Sequence, residues 1–371
     1  MTQARDTRTA EIVSLSSLRG IAAWWVVFYH ALDIVPAPFV PVLRPWLSEG
    51  YLAVDLFFIL SGYIIAKSYG SKLRRLSVRS YAAYLWLRIA RVYPLHLFML
   101  VLYLSIPAAI LAFSSTGTIA GRFNADYYIL SLLLIQNWGF TSALDWNFPA
   151  WSISTEWLAY ILFPLMLAVT GIMARLRLLG GLIALLLLGI MAVFAPVESL
   201  GSTIPSRGAI RCVLEFWAGV CLFQLAPASP GRPLRAAAAL ASMILFVGHV
   251  RLGVPDYLVR PAAFILLVFA LSRDDGAVST VLATPVLHWL GTVSYSTYLV
   301  HVFVREWVKL LLVRVGVPPS LPFIAYVAVT LAGSALLYRY IELPGRVALR
   351  RMFVGASLHG KISPNVKANV G

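Results

Sequence analysis

The sequence predicts an all-α fold, a polytopic bundle of transmembrane helices, and three observations carry that prediction. The 371 residues are 60% hydrophobic and only 12% charged, with a mean hydropathy of +0.83, far too little polar surface for a soluble domain of this length. Several apolar runs approach or exceed the roughly 20 residues needed to cross a bilayer. Cations gather in a few stretches between those runs, as cytoplasmic loops require. The net charge of +15 belongs to those loops and their attraction to anionic lipid, so membrane lipid, not nucleic acid, is the partner it implies.

The first residues, 1–15, are polar and read as a cytoplasmic tail. No small-residue cleavage site follows the first apolar run, so that run reads as a retained span. Apolar segments follow near 17–35, 51–67, 93–113, 127–139, 152–172, 178–195, 208–226, 236–250, 257–272, 289–312 and 321–341. Lys67, Lys72, Arg74, Arg75, Arg79, Arg88 and Arg91 mark 67–92 as cytoplasmic, and Arg175 with Arg177 marks the next basic turn. The chain must cross an even number of times between these two loops, yet three segments lie between them. The 127–139 run is the one too short to span, and it reads as re-entrant. About ten spans remain, with both termini cytoplasmic. The stretch 68–92, with Tyr81, Tyr84, Leu85, Trp86 and Leu87 among its cations, has the composition of an amphipathic helix on the inner leaflet. Residues 16–345 thus form the membrane domain, and 346–371 a basic, disordered cytoplasmic tail. Cys212 and Cys221 lie about half a turn out of phase along one helix and cannot pair. No metal-ligand spacing is present.

Charges inside spans are costly, so each one points to a site. In "SLRGIAAWWVVFYHA", Arg19 and His30 are eleven positions apart, about 16 Å along the axis and close to three full turns, hence on one face. Arg19 falls at the cytoplasmic edge, where snorkelling is its other reading. His30 falls beyond the midplane. Asp55, in "YLAVDLFFILSGYII", lies at a depth that matches His30, where it would orient the imidazole or merely cap its span. Gly62 shares its face and admits a helix or a ligand. In "LRIARVYPLH", Arg88 and Arg91 are neighbours at the cytoplasmic entrance, with Pro94 bending or starting the span. With Arg19 they form a cationic mouth suited to phosphates, ordinary loop charge being the alternative. Glu156, in "NFPAWSISTEWLAY", is placed on the outer side with His30 and Asp55, among Trp151, Trp157 and Tyr160. Arg211 and Glu215 read as a mutually neutralising pair. His301, in "GTVSYSTYLVH", sits near mid-membrane. Glu342, before Pro344, takes Arg339 or Arg346 as its partner.

Taken in order, Arg19 with His30, "YLAVDLFFILSGYII", Arg88 with Arg91 before Pro94, "WSISTEW", "SYSTYLVH" and "IELP" resemble the membrane acyltransferase-3 family over roughly residues 15–345. That resemblance implies a multi-pass enzyme of the bacterial inner membrane, with acyl-CoA, acetyl-CoA first of all, as donor and no permanently bound cofactor. The acceptor it implies is a hydroxyl of an envelope polysaccharide, a lipid-linked glycan or an exported glycan. It makes His30 the base, gives Arg19, Arg88 and Arg91 to the donor and places Glu156 near the acceptor. The residues themselves add Asp55 and Glu156 to His30 as catalytic, with Ser61, Trp151, Tyr295 and His301 as candidates for the acceptor or the cavity. Because the sequence ends shortly after its last span, it resembles the type without an added hydrolase-like domain. A transporter or flippase of lipid-linked oligosaccharide would also need buried charges, but inverted repeats and paired broken helices are not visible.

Overall fold

The computed structural model describes residues 11–73, 77–113, 123–172, 204–226, 230–252, 254–313, 317–318 and 320–358. Among them the chain is helical with no strand. Helix α1 (Val13–His30) leads through a short α2 (Val40–Leu47) into α3 (Ala53–Leu73), and α4 (Val78–Tyr103) runs on to α5 (Ser105–Phe113). The short α6 (Ala125–Leu132) precedes α7 (Trp151–Ile172). There follow α8 (Ile204–Leu225), α9 (Arg232–Leu252), α10 (Asp256–Ala270) and α11 (Ala277–Leu282). The last three are α12 (Pro285–Val308), α13 (Ser320–Leu337) and α14 (Leu343–Leu358).

Five helical stretches among the described residues are long and apolar enough to cross a membrane: Val40–Leu73, Val78–Ala112, Phe148–Ile172, Arg232–Leu252 and Ser320–Met352. The polar-bearing helices α1, α8 and α12, of 18, 22 and 24 residues, pack inside. Phe98, Val101, Leu165, Met243, Ile244 and Leu336 lie exposed on the outside, whereas Asp55, Ser154, Arg211, Glu215, His301 and Glu342 are buried. Apolar outside and polar within is the arrangement a lipid solvent favours, because internal pairing is the only alternative to leaving such groups unsatisfied.

Glycines set two close helix contacts. A Cβ on Gly20 of α1 would lie 2.5 Å from the backbone nitrogen of Gly291 on α12, and one on Gly291 would strike the Ser16 carbonyl. Gly62 of α3 and Gly219 of α8 are likewise reciprocal, meeting the Phe216 and Ile59 carbonyls. Only residues without a side chain permit backbones so near. Gly62 thus admits a helix. His30 meets His301 ten residues beyond the first pair, and Asp55 meets Arg211 some seven or eight residues before the second, so α1 runs parallel to α12, and α3 to α8.

The 127–139 stretch yields a helix of only eight residues, Ala125–Leu132, too short to cross a bilayer, in keeping with its length in the sequence. Other sequence expectations need correction. The 68–92 stretch is not a separate surface helix. It is the end of α3 and the first half of α4, which a reciprocal Ser77–Ser80 capping box starts and which continues through Pro94. Residues 346–358 are helical, not tail. The 178–195 segment and Arg74, Arg75, Arg175 and Arg177 lie outside the described residues.

Candidate active site

His30, the last residue of α1, meets His301 of α12. Its Nδ1 lies 3.1 Å from His301 Nε2 and 3.0 Å from the Val26 carbonyl. His301 Nδ1 lies 2.7 Å from the Tyr298 carbonyl, and that contact requires it to carry the ring hydrogen. In the neutral ring His301 Nε2 is therefore an acceptor. His30 Nδ1 then faces two acceptors and carries its own hydrogen, which leaves the lone pair on His30 Nε2. This tautomer is assigned from hydrogen-bond geometry. The two imidazoles meet because each lies ten residues beyond its helix's contact glycine, Gly20 or Gly291, on parallel helices. Phe148 and Tyr29 flank His30, with ring centroids 5.3 and 4.8 Å away.

At the other end of α1, Arg19 donates to Ser16 Oγ at 3.2 Å. Burial pushes the nearby Glu11 carboxyl up, but hydrogen bonds from Ser16 and His288 outweigh it and hold the group below its usual range. Arg88 donates to the Tyr69 hydroxyl at 2.8 Å, and its guanidinium lies 4.8 Å from that ring and 5.9 Å from the ring of Tyr160. Arg91 pairs with Glu342, which also accepts from Ser296 at 2.7 Å. The Tyr295 ring lies 5.4 Å from the Arg91 guanidinium. Arg19 also lies within electrostatic reach of Arg91, so these arginines converge from α1 and α4.

One stripe of α7 joins the two ends. Ser152 contacts the Tyr298 hydroxyl at 2.9 Å, one turn before His301. Four residues on, Glu156 accepts from Ser61 and, at 2.6 Å, from Tyr160. Tyr160, four residues further, faces Arg88. The spacing of 152, 156 and 160 puts all three on one face, descending about 6 Å per step. Glu156 therefore lies partway toward the arginines, not level with His30 as its place in the sequence implied. The cause is the segment before α7, which enters the bundle as loop and a single 3-10 turn, Phe148–Ala150. Leu134 and Trp146 turn it with positive φ. Asn147 donates to the Leu299 carbonyl at 3.2 Å, and the Tyr298 hydroxyl donates to that of Pro149 at 2.9 Å. This segment holds Phe148 at the level of His30, and α7 begins only below it.

The structure does not bring Asp55 to His30. Its carboxylate accepts from Arg211 at 2.5 Å, and Glu215 sits 3.7 Å from the same guanidinium. Arg211 thus serves two carboxylates, because α8 runs against α3 at the Gly62 contact. Trp151, expected at the acceptor, is packed in the core with Phe58 5.9 Å and Arg211 6.0 Å away. Tyr295 belongs to the arginine end and donates to the Val92 carbonyl. Glu342 pairs with Arg91, not with Arg339 or Arg346. Cys212 and Cys221 are buried and unpaired. No cluster of metal-ligating residues occurs among the described residues. Sequence reasoning missed Ser152 of the stripe, although the four-residue spacing before Glu156 carried the signal, and it missed Tyr298 of α12, which no local spacing marks.

A model of an acyltransferase domain, acyltransferase 3, matches residues 12–339. The chain belongs to the acyltransferase-3 family. A Staphylococcus aureus protein that carries the provisional name O-acetyltransferase is 24% identical over 364 residues, covering 90% of this chain and 57% of that relative. The acyltransferase MdmB of Streptomyces mycarofaciens is 31% identical over 164 residues, 43% of this chain and 40% of the relative. A protein from the picA locus of Rhizobium radiobacter is 38% identical over 93 residues, 24% of this chain and 42% of its own length. The chain thus spans little more than half of the staphylococcal relatives it matches. No solved structure matches. Membership in a family of acyltransferase domains agrees with the chain's apolar helices. The arrangement of His30 and the arginines is a property of this chain's own geometry.

Proposed function

We propose that this acyltransferase-3 protein is an integral-membrane O-acyltransferase of about ten spans. It moves an acyl group, acetyl first of all, from acyl-CoA on the cytoplasmic side to a glycan hydroxyl on the other. The observation that carries this reading is His30 itself. Its Nδ1 is committed to Val26 and His301, its Nε2 keeps the lone pair, and it sits about 16 Å along one helix from Arg19. That separation suits a donor with a phosphate-bearing head and a long thin arm. Arg19 and Arg88 take the head, and the arm follows Tyr160, Glu156 and Ser152 toward His30.

His30 Nε2 accepts the proton of the acceptor hydroxyl as its oxygen attacks the thioester carbonyl. The resulting imidazolium keeps Nδ1–H between the Val26 carbonyl and His301 Nε2, so both acceptors stabilise the charge. The tetrahedral intermediate then expels the coenzyme A thiolate, which recovers the proton from Nε2. Holding both reactants at one imidazole supplies the remaining advantage by proximity. His30→Ala tests this. Envelope glycans from cells that make the variant should lack the acyl mass increment, at unchanged protein abundance, with a loss of about 100-fold or more. Acylation at ordinary rates by that variant would remove His30 from the reaction.

A further inference from the structure

Helix α14 lies against α4 on the arginine side. Gly345 packs at Pro94, where an added Cβ would come within 2.5 Å of the proline ring, and Trp86 Nε1 donates to the Leu349 carbonyl at 2.7 Å. Arg346 and Arg350, four residues apart, share the face of α14 that these contacts turn toward α4. The Nε atoms of Arg88, Arg346 and Arg350 are all buried without a partner. Arg346 lies close enough to Arg88, Arg91 and Arg350 to be repelled by each. The nearest carboxylate, Glu342, is already taken by Arg91 and Ser296. Four guanidiniums therefore share one neutralised acid. Such crowding is unfavourable unless a polyanion completes it, and guanidinium forks suit phosphate oxygens.

We infer that Arg346 and Arg350 of α14, with Arg88 of α4, form a seat for the phosphates of the donor's nucleotide head. The inference rests on the acyl-CoA reading and adds the final helix to the donor site. A phosphate lipid headgroup has the same chemistry, so the test must separate the two sources. The full-length protein in phosphatidylcholine nanodiscs is titrated with coenzyme A and with adenosine 3′,5′-bisphosphate. Arg346→Gln and Arg350→Gln should each weaken both ligands about tenfold. The KM for acetyl-CoA should rise alike, while that for S-acetylpantetheine, which lacks the nucleotide, moves less than twofold. Arg346→Lys and Arg350→Lys, which keep the charge and lose the fork, should fall between, and no variant should melt below the wild type. Wild-type affinity in the glutamine variants overturns the inference and leaves the donor reading intact. A defect seen only in phosphatidylglycerol-rich discs assigns the seat to lipid and also overturns it. A wild-type protein that ignores coenzyme A and acylates from another donor removes donor reading and inference together.

Discussion

His301 shows what a single residue adds to this site. It touches neither reactant in the mechanism, yet its Nε2 is one of the two acceptors that fix the His30 tautomer. A leucine there would leave His30 Nδ1–H with the Val26 carbonyl alone. We expect His301→Leu to lower kcat about tenfold with the KM for acetyl-CoA unchanged, since the arginines lie far along α1. Glutamine, whose amide oxygen is an acceptor, should restore part of the rate. Steady-state kinetics on the three proteins checks this, and a KM effect of the same size would place His301 in donor binding instead. His30 was legible in the sequence because a histidine and an arginine share one face of an apolar helix. Its partner was not. Asp55 had the right chemistry and a plausible depth, but depth along one helix says nothing about which neighbour that face meets.

At the scale of helices, close glycine contacts set register, and register decides which charges meet. On α3 and α8 they bring Asp55 to Arg211, with Glu215 on the same guanidinium. Asp55→Asn leaves one buried cation with one carboxylate, whereas Arg211→Met leaves two carboxylates with none. Arg211→Met should therefore destabilise by on the order of 3–5 kcal/mol, and Asp55→Asn by clearly less. Thermal unfolding of both variants in detergent measures the order, and the reverse order would refute the shared-arginine account. On α1 and α12, Gly291→Val would drive its side chain into the Ser16 backbone. An overpacked contact costs about 1–3 kcal/mol, and a shift near 1 Å at the imidazoles costs about 100-fold in rate. Activity should thus fall more steeply than the melting temperature, and equal wild-type activity would show that this contact does not position the histidines. The glycines themselves are visible in the sequence. Their pairing across helices 271 positions apart is a tertiary fact that no local pattern encodes.

For the molecule as a whole, composition made the membrane class legible, and the order of its charged motifs made the family legible. What composition could not show is how deep each group sits. Glu156 was misplaced because the segment holding Asn147, Phe148 and Pro149 enters the bundle as loop and one 3-10 turn, and depth was counted as though α7 began at the surface. The geometry that results has arginines toward one end of α1 and an imidazole pair at the other, joined by the stripe of α7. The function we propose puts the two substrates on opposite sides of the membrane. The most direct measurement uses proteoliposomes with uniform protein orientation, acetyl-CoA on the arginine side alone and a glycan acceptor on the far side alone. The account predicts acylated glycan in the far compartment from wild-type protein and none from His30→Ala. Product formed only when donor and acceptor share a compartment, or formed equally by His30→Ala, would contradict it.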